Sequence, residues 1–170
     1  LAVRPYPNDF ADFDVDKDVW FGRNTAQERL SASWLEIKEA KRKAFRYCIF
    51  GDSQGTGSAG GLAESGAGSS CNDFMVTLGR WSPPGGTADE QVGTFMHELG
   101  HTLGLGHGGG DDINFKPNYY SMMNYLWQLP TSYLPIRPVV GWTLHFSDTM
   151  ALPTLNEGAL SESAGIGGNV

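Results

Sequence analysis

The sequence predicts an α+β fold in a single domain, and three observations carry that prediction. Two short runs, 45–50 and 73–78, have the composition of strands. Two longer stretches open with the capping-box form, Thr25-Ala26-Gln27-Glu28 and Thr87-Ala88-Asp89-Glu90, and continue with apolar residues at helical spacing. Beyond residue 108 the chain is irregular and rich in Pro, Tyr and Asn.

Taken in order, the first 24 residues read as loop, with Pro5, Pro7, Asn8, Gly22 and Asn24. Within them Asp12, Asp14, Asp16 and Asp18 alternate with Phe13, Val15 and Lys17. Alternating carboxylates either stand in water or share one Ca2+; the stretch lacks the glycine and distal glutamate of an EF-hand loop, and solvation is the simpler reading. The first helix is expected over 25–44, with Leu30, Trp34, Ile37 and Ala44 on one side and the run Lys38 to Lys43 in water. Phe45 to Phe50 is the first strand. Residues 51–70, nearly all small, read as a flexible surface loop. Asp73 to Leu78 is the second strand. Trp81 to Gly86 is a turn. The second helix is expected to run to about Leu103, with Val92, Met96, Leu99 and Leu103 on its apolar side and Gly104 ending it.

Composition narrows the functions. A length of 170 residues suits one domain with a modest core, here divided into an N-terminal part, 1–107, and a C-terminal part, 108–170. Twelve Lys and Arg against nineteen Asp and Glu give a net charge of −7, which disfavours nucleic acid and anionic membrane surfaces as partners. No apolar run has the length of a membrane span. Leu1 to Pro5 lacks the basic start and apolar run of a signal peptide, so a mature or trimmed N-terminus is expected. Cys48 and Cys71 bracket the glycine-rich loop. They are either two buried thiols or one disulfide, and the bracketing of adjacent strands favours the bridge, hence an oxidising compartment.

Chemistry concentrates in His97-Glu98-Leu99-Gly100-His101-Thr102-Leu103-Gly104-Leu105-Gly106-His107. Two histidines four apart on a helix point the same way, one turn apart, and both reach a single ion. Gly104 turns the chain so that His107 returns as a third ligand. Three imidazoles and a water make an open, catalytic type of Zn2+ site. Glu98 lies beside the metal without binding it, where a carboxylate serves as general base toward the metal-bound water. Chance placement of three of the four histidines, the glutamate and the glycine at these offsets is rare. The fourth, His145, reads as structural.

This run matches the long zinc signature of the metzincin metallopeptidases at every fixed position. Ser121-Met122-Met123-Asn124-Tyr125 resembles their methionine turn, with Met123 as the turn methionine. Tyr125 resembles the tyrosine that approaches zinc in the astacin-like and serralysin-like branches and stabilises the tetrahedral intermediate. The stretches 107–112, 116–119, 140–142 and 164–168 are similar to a group of secreted bacterial metallopeptidases, so that the resemblance covers about residues 45 to 168. The resemblance implies a twisted mixed sheet with a backing helix above an active-site helix, an irregular C-terminal part below, and a cleft between them. It implies a sheet edge that pairs with an extended protein or peptide substrate, expected at Phe74, Met75, Val76, Thr77 and Leu78. The wall of the pocket after the scissile bond is expected at 126–142, with a hydrophobic preference. Asp111 and Asp112 either bind Ca2+ or face water. The front, before Phe45, shows one helix where metzincins place several strands. The function expected is a monomeric, secreted bacterial zinc endopeptidase. Two other readings are a binding or adhesion module without turnover, against which the intact Glu98 argues, and a metzincin-type aminopeptidase.

Overall fold

The computed structural model describes residues 10–21, 25–54, 56–64, 71–116, 119–131 and 142–146. The elements in order are α1 (Phe10–Trp20), α2 (Ala26–Leu30), α3 (Trp34–Ala44), β1 (Tyr47–Phe50), β2 (Gly61–Ala63), β3 (Asp73–Val76) and α4 (Ala88–Thr102). The three strands form one mixed sheet in the order β1-β3-β2. β1 runs parallel to β3 with Tyr47 opposite Asp73, and β2 runs antiparallel with Gly61 opposite Val76. The expected mixed sheet and α+β class are therefore present.

β3, Asp73 followed by three apolar residues, is fully buried because it lies in the middle and is covered on both faces. Alternation along a strand sends its side chains to opposite sides. Phe74 packs edge-on against Phe95 of α4, their ring centres 5.1 Å apart. Asp73 turns the other way, to Lys17 of α1. Phe13 of α1 meets Tyr47 edge to face at 5.5 Å. The sheet is thus sandwiched between α1 and α4.

Several expectations are corrected here. The front is not loop: Phe10–Trp20 is a helix. Its many aspartates are poor helix formers. Docking decides, through Phe13 at 0% and Lys17 at 2% exposure. On a helix, residues two apart diverge, so Asp14, Asp16 and Asp18 do not converge on one ion, and Asp18 pairs instead with Lys38. The side chain of Asp12 lies outside the described residues. The helix expected over 25–44 is broken after Leu30, where Ser31 is extended and its own Oγ accepts from Ser33 N at 3.1 Å.

No disulfide joins Cys48 and Cys71. Cys71 lies two residues before Asp73, so it faces Phe45, two before Tyr47 in the register. Cys48 is three residues further along, roughly 10 Å of strand rise, which exceeds the Cα separation of about 7 Å that a disulfide can span. Burial holds the Cys48 thiol protonated, its pKa pushed up to about 12.

The strand expected at the sheet edge is its centre: Phe74, Met75 and Val76 are paired on both sides by β1 and β2, with Thr77 and Leu78 following. Of the two edges, β1 and β2, the one that lines the cleft is β2, within the stretch read as a flexible loop. That stretch is held from outside. Trp81 Nε1 donates to Ser58 O at 2.8 Å, and Arg80 donates to Thr56 O. Stretches 132–141 and 164–168, with most of the expected pocket wall, lie outside the described residues.

Candidate metal centre and cleft

The helix that carries the site is defined at both ends. Thr87 Oγ1 accepts from Glu90 N, and Glu90 Oε2 accepts from Thr87 N at 2.7 Å, the reciprocal capping box. Thr102 is the last helical residue. Gly104 follows at φ +85°, a conformation glycine adopts without a steric penalty. Leu105 N then donates back to Gly100 O at 3.0 Å. The reversal brings His107 under the helix, and a bridge between Gly106 and Gly109 closes the turn.

The apolar stripe expected on this helix is not its buried side. Val92 is 40% and Leu103 48% exposed, while Gly93, Thr94, His97, Glu98, Gly100 and Thr102 are buried. Small residues permit the approach. A Cβ on Gly93 would lie 2.2 Å from Gln128 O, and one on Gly100 would lie 2.2 Å from Met123 Sδ. Helix and methionine segment therefore touch through two glycines.

His97, His101 and His107 come together, with one nitrogen of each within 4.8 Å of the others. The outer nitrogens are already engaged. His97 Nδ1 donates to Met122 O at 2.8 Å and His101 Nδ1 to Leu105 O at 3.0 Å. His107 Nδ1 has the Asp112 carboxylate at 3.9 Å. The Nε2 atoms are thereby left facing inward. That of His107 is buried with no hydrogen-bond partner, and those of His97 and His101 are 3.2 Å apart. Two imidazole nitrogens at that distance and a third left unsatisfied fit one tetrahedral ion with nitrogen ligands. Burial lowers the pKa of all three imidazoles, that of His97 to about 3, and keeps them neutral, the form a metal needs.

Glu98 is 6% exposed and lines the same cleft. Desolvation pushes its carboxyl up to about 8. Its side chain lies against β2: a Cβ on Gly61 would fall 2.5 Å from Oε1. The cleft, about 660 Å³, is walled by Gly61, Leu62 and Ala63 above and by the three histidines and Tyr125 below.

Met123 is fully buried, and Met122 N is held by His145 O at 2.9 Å. The Tyr125 ring stacks on His97 at 5.3 Å and leans on His107 at 4.8 Å. Its backbone N donates to Asn114 Oδ1 at 2.9 Å. Asn124, 0% exposed, donates to Lys116 O and Tyr119 O and accepts from Phe115 N and Leu126 N. Two asparagines thus fasten the chain after His107 to the segment that carries Tyr125. Neither was anticipated from the sequence, where each stands among other polar loop residues. Asp111 is committed to Lys116 and to Ile113 N. Asp14 approaches Glu64 and Asp73, but there the cation is Lys17, which bonds Asp73 and Asn72.

A family model described as metallo-peptidase family M12B, reprolysin-like, matches residues 12–108, more than half of the chain. The matched span takes in most of α1 and the chain from there to Phe45, which the sequence resemblance had left outside. No curated protein and no solved structure gives a significant match.

Proposed function

The chain belongs to the reprolysin-like M12B metallopeptidases, and from that premise we propose that it is a zinc-dependent endopeptidase that cuts extended stretches of protein. Peptide-bond hydrolysis and a zinc ion come with the family. The internal site of cutting and the roles of individual residues are our reading. One observation carries it: three inward-facing imidazole nitrogens, with a buried carboxylate beside them, open onto a cleft whose upper wall is an unpaired strand edge among the described residues.

His97, His101 and His107 would hold the ion. Zinc, when bound, lowers the pKa of its water toward neutrality and polarises the scissile carbonyl. Glu98 takes the water proton and later delivers it to the leaving amine. Its side chain, packed under Gly61, lies on the same cleft as the three imidazoles, and the charge of a bound ion would favour its carboxylate form. The Tyr125 hydroxyl donates to the oxygen that gains negative charge. Met123, packed on Gly100, forms a floor that fixes the helix carrying two ligands. An extended peptide adds to the outer edge of β2, which replaces the 74–78 segment in that role.

Action outside the cell is part of this proposal and rests on the sequence resemblance to secreted bacterial metallopeptidases; the unbridged cysteines lend it no support. Among the described residues no helix is long and apolar enough to cross a membrane.

A digest of a denatured protein mixture, with cuts mapped by mass spectrometry, tests the reading. Wild type is expected to cut internally and Glu98→Ala to leave the mixture intact. Release of single residues from free N-termini alone would instead mark an aminopeptidase. Equal cutting by both proteins would remove Glu98 from the mechanism.

A further inference from the structure

We propose that Gln54 limits how far an extended peptide can pair along β2, and so acts as a specificity-determining residue of the cleft. The inference rests on β2 being the peptide-binding edge, as proposed above.

The register fixes which backbone groups face outward. Thr77 N donates to Gly60 O, and Glu64 N donates to Asp73 O. Gly60, Leu62 and Glu64 therefore direct their polar groups to β3. Pairs in an antiparallel ladder alternate, so Gly61 and Ala63 turn N–H and C=O toward the open edge. Ala63 offers an incoming peptide one donor and one acceptor. Gly61 differs, because its carbonyl already accepts from Gln54 Nε2 at 2.8 Å. The Gln54 amide is itself anchored: the same nitrogen donates to Thr77 Oγ1 at 3.2 Å, and Thr77 Oγ1 donates to Ala59 O at 2.9 Å.

Gly61 has no room to turn that carbonyl elsewhere. Glu98 fills the space where its Cβ would be, and Trp81 and Leu78 crowd the neighbouring Gly60. The strand is clamped between them. A peptide antiparallel to β2 lays its N-terminal side along Ala63 and its C-terminal side along Gly61. It forms a two-bond pair at Ala63. At Gly61 its N–H competes with Gln54 for the acceptor. Backbone pairing is therefore strong on the N-terminal side of the cut and weak on the C-terminal side, where side chains must supply recognition.

The test uses the zinc-loaded protein and two peptide hydroxamates, whose hydroxamate anchors at zinc and sets the register. One extends three residues from that anchor in the N-terminal direction, the other three in the C-terminal direction. Dissociation constants are measured by calorimetry for wild type, Gln54→Ala and Gln54→Glu; the last keeps the size and loses the donor. Both variants are expected to improve the C-terminally extended probe by about threefold to tenfold relative to the other, the worth of roughly one hydrogen bond. An equal change for both probes would mean that Gln54 only supports the strand, and would overturn the proposal. So would no change, a gain for the N-terminal probe, or failure of either probe to bind wild type. No turnover is needed, so a negative digest would sink the endopeptidase reading while leaving this comparison to decide on its own.

Discussion

Two carboxylates on opposite faces of the sheet are almost sealed from water, and they differ in what lies next to them. Asp73, at 0% exposure, starts β3 under α1 and is bonded by the Lys17 ammonium. Glu98, at 6%, lies on α4 under Gly61, and among the described residues no cation pairs with it. Desolvation raises both, Asp73 to about 6 against the lowering pull of Lys17, and Glu98 to about 8 with nothing opposing. The same burial thus gives two outcomes. A paired acid fastens a helix to the sheet. An unpaired acid on the wall of a cleft is held ready to exchange a proton.

The largest effect that would sharpen this contrast is at Glu98. Glu98→Gln keeps the shape and removes the base, so peptide hydrolysis should fall by about 10²–10⁴-fold. Zinc content, read by atomic absorption, should stay at one ion per chain. Turnover near the wild-type rate would break the comparison on the catalytic side.

Next comes the pair on the other face. Lys17→Met leaves Asp73 buried without its partner and should cost about 3–5 kcal/mol in denaturant unfolding. The pH dependence has a definite sign. Asp73 has a folded pKa above the ordinary 3.8, so the folded state holds more protons, and stability relative to Asp73→Asn falls as pH rises from about 4 through about 6. Loss of Lys17 moves that window upward. A stability difference independent of pH would show that Asp73 is not the group responsible.

A smaller effect tests the contact that buries Glu98. Gly61→Ala places a methyl group within 2.5–2.7 Å of Oε1, Cγ and Cδ of Glu98, so the whole carboxylate arm must swing aside. Stability should change little, because only Glu98 must move. Activity should fall by roughly tenfold to a hundredfold, since a displacement near 1 Å misplaces the base. Equal losses of stability and activity would mean that β2 itself had been pushed away.

Much of the metal centre could be read along the chain because its parts are local. The spacing of His97 and His101, the capping box at Thr87 and the stop at Gly104 each depend on hydrogen bonds within a few residues, and each is found as expected. The buried side of α4 could not be read the same way. Apolar periodicity pointed to Val92 and Leu103, but contact with Met123 and Gln128 required glycines, and close approach outweighed hydrophobicity. The helix of α1 was hidden because its stability comes from Tyr47 and Asp73, far along the chain.

By itself the sequence determined the three histidines, the glutamate beside them, the helix that presents them and hence the class of chemistry. Those features follow from covalent spacing and short-range hydrogen bonds, which any window of the chain contains. Tertiary structure alone decided which strand became the edge, which face of α4 was buried and which acid received a lysine. It also brought Gln54 to the carbonyl of Gly61. Each of these is a choice among partners distant in sequence, and only the assembled packing, with its register and its lack of space, selects one.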